Sequence, residues 1–513
     1  MPDEVDAGPD PDVVDADLAD VAGDDDAVGA DDATPDGVDP TDGVDPADTT
    51  DLDATPDACS GSCEGRACGD DGCGGSCGAC DADATCDAGG QCAWVVRGRV
   101  LFERRRPNVE LTALAAPEIV PLVDHDVAVR AGAVDLGMAA TDASGAFALS
   151  LSLRPTAPLS AVVAAVSRPV PGHALPALTL VDGQGVTFPS AATQHTPVDV
   201  HRVWAWTFDA PAPDALDLGD HTIMMADGSG ALQILLDLEA ARGRATSYFH
   251  AAGVIADPEA VTRLAVLWNP ALTPPCLSCF FPGDWGPFRL VDGQGAVTTT
   301  FDRAIWLSGT STGAQAAPFQ WTPSLSGHEL GHWVMDTFSR LPPVGGSHSW
   351  SSRAFAPLGW SEGFATFFAQ WSQSGGAPQS RFFSMQQNTQ YWVDLDKIGA
   401  APTSDDTSLP FTFPLPIATG PLSQDINEGV VAAILWDLWD GGDGDDDALT
   451  LGDDALGDIA LARLATGAQD RGKAGPDLVD YVDALVCDGA DWATLAEVFD
   501  GFPWTGPPLC PAP

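Results

Sequence analysis

Thirty-four residues, from Cys59 to Cys92, hold eight cysteines and no Val, Ile, Leu, Met, Phe, Trp or Tyr. Such a segment cannot build an apolar core, so only cross-links can hold it in one conformation. The cysteines are separated by two to five residues and interleaved with nine glycines, which predicts a disulfide-rich module over residues 59–93. The sequence does not determine which cysteines pair with one another. A thiolate metal cluster is the alternative, which the single Cys77-x-x-Cys80 pair and the lack of histidine support poorly.

The residues before this module are of a different kind. Residues 1–58 contain 21 acidic residues, no Lys or Arg and no aromatic side chain. A segment of this composition cannot bury enough apolar surface to offset the entropy lost on ordering, and its like charges repel one another. We therefore expect residues 1–58 to be a disordered, acidic, Asp/Pro-rich linker.

Charge and hydropathy along the whole chain exclude two kinds of partner. The 513 residues carry 74 Asp and Glu against 22 Lys and Arg, a net charge of −52. Binding to nucleic acid needs clustered cationic side chains, so no nucleic-acid partner is expected. No run of 18 apolar residues is present, so we also expect no transmembrane span.

The cysteine content indicates an oxidising compartment, which is extracellular or at the cell surface. The residues after Met1 show neither the cationic segment nor the apolar run of an export signal. Either that signal lies upstream of this sequence, with any cell-surface tether, or the compartment inference is wrong. The run CGDDGCGGSCGAC, from Cys68 to Cys80, resembles small cysteine-rich modules near the start of exported bacterial proteins, which implies a similar placement.

Residues 94–208 alternate short apolar stretches with Gly, Pro and Asp-containing turns, which predicts a small β-sandwich. The stretch TDASGAFALSL, with Gly145, Phe147 and Leu149, resembles the Gly-x-Phe-x-Leu strand of carboxypeptidase-regulatory or transthyretin-like sandwiches. No group of residues here indicates a reactive centre, so we expect a structural or adhesive role. An inhibitory propeptide within this region is the alternative.

Residues 209–513 show helical spacing at 229–249, strands at 265–268 and 296–309, and long helical stretches afterwards, which predicts an α+β domain. Cys276 with Cys279, and Cys487 with Cys510, are interpreted as two local disulfides rather than a redox motif. Asp440–Asp458 is acidic and Gly-rich. Calcium is the functional interpretation of that segment, and a charged surface turn is the alternative.

The clearest chemical signal is HELGH at residues 328–332. Thr322 and Pro323 are typical of a helix start, and on the helix that follows His328 and His332 lie one turn apart on the same face. Two imidazoles at this spacing, with Glu329 beside them as a base, are what a catalytic zinc site needs from one helix. Chance would give about 0.003 such motifs in this chain, so two ordinary surface histidines are the weaker interpretation.

A third ligand has to come from elsewhere in the chain. The positions three and six residues after the second histidine hold Met335 and Phe338, which excludes the metzincin pattern. The run GWSEGFATFFAQW predicts a second helix opened by Glu362, whose carboxylate faces away from an aromatic stripe. Glu362 is the expected third ligand, which leaves a fourth position for water as in catalytic zinc sites.

HELGH followed by WSEGFA resembles the gluzincin metallopeptidases, the group that includes thermolysin, fungalysin and the alanyl aminopeptidases. The resemblance implies His328, His332 and Glu362 as zinc ligands and Glu329 as general base. The stretch INEGVVAAILWDLWD, which contains Glu428, is more loosely similar to a helix of fungalysins.

Departures from the gluzincin pattern leave some roles open. The segment between HELGH and the third ligand is longer than in thermolysin, so residues 339–350 are predicted to be an inserted loop. Thr366 stands where thermolysin-like enzymes carry Asp. The residue that stabilises the transition state is unassigned; Tyr391 and His348 are candidates, and a packed aromatic and a loop histidine are the alternatives. The Gly-Ala-Met-Glu-Asn signature of aminopeptidases is absent, which favours an endopeptidase.

Two supporting contacts are predicted around this centre. Asp336, one turn beyond His332, is a candidate to orient that imidazole, with a solvated helix-end acid as the alternative. The strand at 296–309 is predicted by analogy with the gluzincins to be the sheet edge that pairs with an extended substrate.

These patterns together predict a multidomain protein with an acidic tail, a disulfide-rich knot, a β-sandwich and an α+β gluzincin-like metallopeptidase body over residues 209–513. The expected function is that of an exported zinc peptidase, which hydrolyses protein or peptide substrates by Glu-assisted attack of zinc-bound water. The alternatives are a cell-surface binding protein with an inactive peptidase-like domain and a zinc hydrolase of non-peptide amides. Expected metals are Zn²⁺ at the HELGH motif and, in the functional interpretation of the acidic segment, Ca²⁺.

Overall fold

The computed structural model describes residues 61–168, 176–184, 200–257, 263–274, 276–283, 287–292, 295–301, 303–309, 319–342, 345–346, 348–350, 352–373, 379–386, 389–397, 408, 425–440, 452, 475–487 and 489–498. The predicted linker at 1–58, the calcium candidate from 441 to 458 apart from Gly452, and the cysteines Cys59 and Cys510 lie outside these residues. The described chain is a mixed α/β structure with several sheets.

The cysteine-rich module is held by disulfides, as its composition predicts. The described bonds are Cys63–Cys77, Cys68–Cys86 and Cys80–Cys92, and Cys73 is disulfide-bonded as well. Sulfur atoms of Cys68, Cys80 and Cys86 gather within 4.8 Å of one another. Since all three are in disulfides, they are not thiolates, and this group does not support the metal-cluster alternative. The module contains the short strands β1 (Gly69–Asp70), β2 (Ser76–Gly78) and β3 (Ala84–Cys86).

The strands that follow overlap the short apolar stretches of residues 94–208, which lie at 95–102, 125–132, 145–153 and 159–167. They are β4 (Cys92–Arg104), β5 (Glu118–Pro121), β6 (Asp126–Ala131), β7 (Val134–Ala140), β8 (Ala146–Leu151), β9 (Leu159–Ala164), β10 (Leu178–Asp182), β11 (Val200–Arg202), β12 (Ala205–Asp209), β13 (Asp217–Ile223), β14 (Leu264–Trp268), β15 (Cys279–Phe281), β16 (Pro287–Asp292), β17 (Gly295–Thr300), β18 (Arg303–Leu307), β19 (Arg381–Gln386) and β20 (Thr389–Asp394).

Two sheets share one core in the first part of the chain. β4 is the centre of the first sheet, where β3, β5, β8 and β13 pair with it, and the second sheet has the order β12, β9, β6, β7. Buried side chains of β4, such as Val96 and Val100, belong to the same cluster as Val127 and Val129 of β6. β4 alternates buried residues with more exposed ones, whereas β6 and β9 each contain three consecutive buried residues and are therefore covered on both faces.

The turn before β8 explains the Gly-x-Phe pattern. Asp142 Oδ1 accepts hydrogen bonds from the backbone N–H of Ser144 and Ala146, at 2.8 and 3.0 Å, which closes a tight turn. Gly145 has a φ of 79°, and the carbonyl of Val100 leaves no room for a Cβ there. Only glycine fits both the conformation and the space.

The sheets do not divide at the boundary predicted between residues 208 and 209. β10 and β11, which precede it, pair in parallel with β14 and β16, which follow it. β13, which follows the boundary, likewise pairs in parallel with β4, which precedes it. Alternation of apolar residues identifies a strand but not its partner, which is why the predicted boundary misses these pairings.

The second part of the chain contains a sheet of order β10, β14, β18, β15, in which only β15 is antiparallel to its neighbour. The segment 296–309, predicted as one edge strand, is two strands. β18 is an interior strand of this sheet, so the prediction is wrong there, whereas β17 is an edge strand among the described strands of the β11, β16, β17 sheet. The edge beside β18 is β15, while β17 pairs with β16 in a separate sheet. The four buried residues Ala304–Leu307 are typical of an interior strand.

The helices pack in a series that leads to the candidate site. Among the described elements, α1 packs on α2, α2 on α3 and α3 on α4. No helix in the described part of the chain is both long and apolar enough to cross a bilayer. The helices are α1 (Gly230–Ala251), α2 (Pro323–Phe338), α3 (Ala356–Gln373), α4 (Glu428–Trp439), α5 (Leu478–Cys487) and α6 (Trp492–Val498). The predicted Cys276–Cys279 disulfide lies beside β15, and Cys487 is disulfide-bonded at the end of α5.

A glycine allows α2 and α3 to approach closely at the HELGH motif. A Cβ on Gly331 would lie 2.7 Å from the Cα, 3.0 Å from the carbonyl oxygen and 3.1 Å from the Cβ of Ala365. Two of these three atoms belong to the backbone, so they cannot move aside without shifting α3. The glycine of HELGH therefore sets the separation of the two helices.

We expect Gly331→Ala to lower the free energy of unfolding by about 1–3 kcal/mol, the usual cost of overpacking. Gly243→Ala on α1 is the matched control, because a Cβ there meets nothing within 4 Å and alanine favours a helix by up to about 1 kcal/mol. Denaturant unfolding of both variants checks this. Equal stability changes in the two variants would contradict the close approach at Gly331.

Candidate metal centre

α2 carries the HELGH motif and begins where the sequence predicts, with Thr322 as its N-cap and Pro323 as its first residue. The Thr322 side chain makes no capping hydrogen bond, so the helix start relies on proline. His328 and His332 are both buried. Their rings meet edge to face, with 3.2 Å between the two Nε2 atoms. One helix therefore presents two imidazole nitrogens at a common point.

The third candidate ligand, Glu362, lies in the middle of α3. The prediction that Glu362 opens this helix is wrong, because α3 begins at Ala356. Pro357 sits in its first turn, where proline is tolerated because no helical N–H is needed. Every residue from Ala356 to Ser372 is buried, so the helix is enclosed on all sides. Packing on every side of this helix fixes its backbone, and therefore the Cα from which the Glu362 side chain extends.

Glu362 meets both histidines. Its Oε2 lies 3.0 Å from His328 Nε2 and 3.1 Å from His332 Nε2. Among the described residues, these three form one of two groups of potential metal ligands within 4.8 Å, the other being the disulfide-bonded cysteines. Zinc bonds of about 2.0–2.1 Å in a tetrahedral arrangement place ligand atoms about 3.3–3.4 Å apart. The donor atoms therefore suit zinc after small adjustments.

Hydroxyl groups on α3 contact the other nitrogen of each ring. Thr366 Oγ1 lies 3.3 Å from His328 Nδ1, and Ser361 Oγ lies 3.2 Å from His332 Nδ1. When each Nδ1–H donates to its hydroxyl oxygen, the Nε2 lone pairs are directed toward Glu362, which is the tautomer that binds a metal. α3 thus supplies one ligand and orients the other two.

Asp336 does not orient His332. Its carboxylate pairs with the guanidinium of Arg303 on β18, and the group that faces His332 Nδ1 is Ser361. The prediction for Asp336 is therefore wrong. Position along the helix places Asp336 one turn from His332 but does not reveal that a strand offers it a cation.

Of the two candidates for stabilising the transition state, the structure places His348 beside the ligands. His348 Nε2 lies 3.5 Å from Glu362 Oε2, and its Nδ1 lies 2.6 Å from Glu428 Oε2. Tyr391 is a buried residue of β20, opposite Ser384 of β19. The predicted loop after α2 therefore brings an additional histidine to the centre.

The Glu362 carboxyl is held in the ionised form that a metal ligand needs. Burial alone would raise the pKa of the Glu362 carboxyl, but His348, His332 and His328 outweigh burial and hold that pKa well below its usual range. Glu362 is therefore a carboxylate at neutral pH, the form that binds metals.

Sequence reasoning missed three groups of this centre. No role was predicted for Ser361 or Glu428, although both lie in motifs that resemble gluzincin or fungalysin segments, and none was predicted for Asn427, which caps α4. Thr366 was predicted only as a departure from the thermolysin pattern, although its spacing, one helical turn after Glu362 on the same face, indicates a place beside the ligands. Glu428 has no comparable signal, because it is far from the other site residues in the sequence and nothing in the sequence indicates that it lies close to them in the fold.

Comparison of the chain with protein-family models, with curated proteins and with solved structures found no match.

Proposed function

We propose that the protein is an exported zinc peptidase with a gluzincin-like site. The observation that supports this most strongly is the meeting of His328 Nε2, His332 Nε2 and Glu362 Oε2, with separations of 3.0, 3.1 and 3.2 Å. Two imidazoles and one carboxylate are the ligand set of catalytic zinc in thermolysin. His328, His332 and Glu362 would hold the ion.

Zinc bound by these side chains supplies Lewis acidity, which acidifies a water molecule and polarises the substrate carbonyl. Glu329 follows His328 on α2 and is buried, so the two histidine ligands and the base share one rigid element. Its carboxylate accepts a proton from the attacking water as the C–O bond forms. Glu329 then delivers that proton to the amine nitrogen as the C–N bond breaks.

Disulfide pairing supports an extracellular or cell-surface location, because such bonds persist in oxidising compartments.

A protein or peptide is the proposed substrate. A binding protein without turnover and a hydrolase of non-peptide amides would use the same ligands. Glu329 favours turnover over binding, because an inactive scaffold has no chemical use for a base beside its ligands.

Metal removal tests the proposal. We expect 1,10-phenanthroline to lower casein cleavage by at least about 100-fold, because the Lewis acid is lost, and one equivalent of zinc to restore cleavage after the chelator is dialysed away. The isomer 1,7-phenanthroline, which does not chelate, is the control and leaves cleavage unchanged. Cleavage that persists in metal-free protein would contradict zinc catalysis. Zinc binding without cleavage of casein, but with hydrolysis of a small amide, would favour the non-peptide alternative.

A further inference from the structure

The loop that carries His348 is fastened to the start of α4 by one amide side chain. Asn427 is fully buried, and its Oδ1 accepts hydrogen bonds from the N–H groups of Gly429 and Val430, at 2.8 and 3.4 Å. Its two Nδ2 hydrogens are donated to the carbonyls of Trp350 and Ser352, at 2.6 and 2.9 Å, and Nδ2 also lies 3.4 Å from the carbonyl of Ser349. One side chain thus caps the helix and holds the loop.

Backbone pairing and packing hold the same junction. Ala354 and Ile426 exchange two backbone hydrogen bonds, of 2.8 and 2.9 Å. The ring of Trp350 lies so close to Gly429 that no Cβ would fit there. The loop therefore cannot shift without a movement of α4.

α4 is also set closely against α3 beside Glu362. A Cβ on Gly363 would lie 2.6 Å from the carbonyl oxygen of Glu428 and in contact with Val431. Gly363 contributes no side chain at this point, so the backbone of α4 and the side chain of Val431 lie directly against α3. Glu428 is the first residue of α4. The close contact between the backbones of α3 and α4 therefore fixes the position of the Glu428 backbone relative to Glu362.

A line of three buried side chains joins α4 to the ligands. Glu428 Oε2 accepts a short hydrogen bond of 2.6 Å from His348 Nδ1, and His348 Nε2 lies 3.5 Å from Glu362 Oε2. The exposed fractions of Glu428, His348 and Glu362 are 3%, 6% and 8%. Hydrogen bonds to an ionised acceptor are about twice as strong as neutral ones, and burial limits the screening by water.

We propose that Glu428 is a positioning residue of the metal centre, which acts on Glu362 through His348, with Asn427 keeping the His348 loop in register. The inference rests on the proposed function, because it assigns Glu428 to the zinc site. A glutamate side chain loses rotamer entropy when it is fixed in one conformation. The Glu428–His348 pair meets part of that cost before the metal arrives, by holding Glu362 in the conformer that faces the HELGH histidines.

Zinc affinity measures this role without relying on turnover. Glu428→Gln keeps the size of the side chain but removes its charge, and we expect it to raise the zinc dissociation constant by about 10–100-fold, the usual cost of losing an outer partner of a metal ligand. The constant is obtained by competition with a chromophoric chelator. Casein cleavage at saturating zinc should fall less than the affinity does.

A double-mutant cycle tests whether the effect passes through His348. We expect His348→Gln to weaken zinc binding by a similar factor, and Glu428→Gln to cost less than about 3-fold more in the His348→Gln background. Asn427→Ser keeps a helix-capping oxygen but loses the amide that holds the loop. It should therefore weaken zinc binding in the wild-type background and have little further effect in His348→Gln.

Asp480→Asn is the matched control. Asp480 is a buried acid in the first turn of α5, where it accepts a hydrogen bond from Asp477 N at 3.0 Å, and its loss should leave zinc affinity within 2-fold. Melting temperatures of the metal-free variants separate general destabilisation from a specific effect.

Zinc affinity of Glu428→Gln within 2-fold of wild type, or an undiminished cost of that substitution in the His348→Gln background, would overturn the positioning role while leaving the proposed function intact. A wild-type protein that binds no zinc would overturn both.

Discussion

Glu329→Gln is expected to lower kcat/KM for casein by at least about 10³-fold while the protein keeps one zinc per chain. The substitution keeps the size of the side chain but removes the group that accepts the proton from water and returns it to the leaving amine. General acid–base catalysis contributes about 10²–10⁴-fold, and here one carboxylate serves both proton transfers. The ligands His328, His332 and Glu362 are untouched, so metal content should not change.

Cleavage rates and metal analysis of the same preparations provide the measurement. Glu118→Gln is the control, since Glu118 lies on β5 in an exposed ion pair with Arg104, where neutralisation costs little. Equal cleavage by Glu329→Gln and wild type, with zinc bound in both, would remove Glu329 from the mechanism. Loss of zinc together with cleavage would instead assign Glu329 a structural role in the centre.

Glu362→Gln should weaken zinc binding by about 10³-fold or more, the second large effect. Glu362 is the anionic member of the proposed ligand set, and the neutral amide that replaces it is a poor zinc ligand. Its carboxylate also lies within 3.5 Å of three imidazoles. The metal-free variant therefore loses these ion-pair contacts as well, so we expect a lower melting temperature even without zinc.

Chelator competition and thermal unfolding of Glu362→Gln check both parts. Glu239→Gln on α1 is the control, since burial raises the pKa of Glu239 to about 7. At pH 8 the folded protein holds this carboxylate ionised at a cost of about 3 kcal/mol relative to the unfolded state. This cost grows as the pH rises from about 4.5 to about 7. Glu239→Gln should therefore stabilise the protein at pH 8 and leave zinc binding unchanged. Unaltered zinc affinity in Glu362→Gln would contradict its role as a ligand.

Local periodicity was sufficient to predict the two histidines of the centre. A spacing of four residues on a helix fixes their relation whatever the helix packs against. Glu362 could be predicted because its helix carries a strong aromatic pattern, although Pro357, which is typical of a first turn, marks an earlier helix start than the one predicted. Its meeting with His328 and His332 depends on the close approach at Gly331, and no short-range pattern reveals which helix faces a glycine.

Partners that come from distant segments could not be predicted. Asp336 pairs with Arg303 of a strand, and His348 pairs with Glu428, which lies 80 residues further along the chain. The pairing of β10 with β14 and of β13 with β4 escaped prediction for the same reason. Propensity and spacing describe a segment, whereas these contacts depend on which segments the tertiary fold brings together.

X-ray absorption at the zinc edge tests the central claim most directly, because it reports the atoms that surround the ion. Protein loaded with one equivalent of zinc should show two imidazole nitrogens at about 2.0–2.1 Å and oxygen at about 2.0–2.2 Å, and Glu362→Gln should lose this signature. Sulfur at about 2.3 Å, or a spectrum with fewer than two imidazoles, would show that His328, His332 and Glu362 do not share the metal.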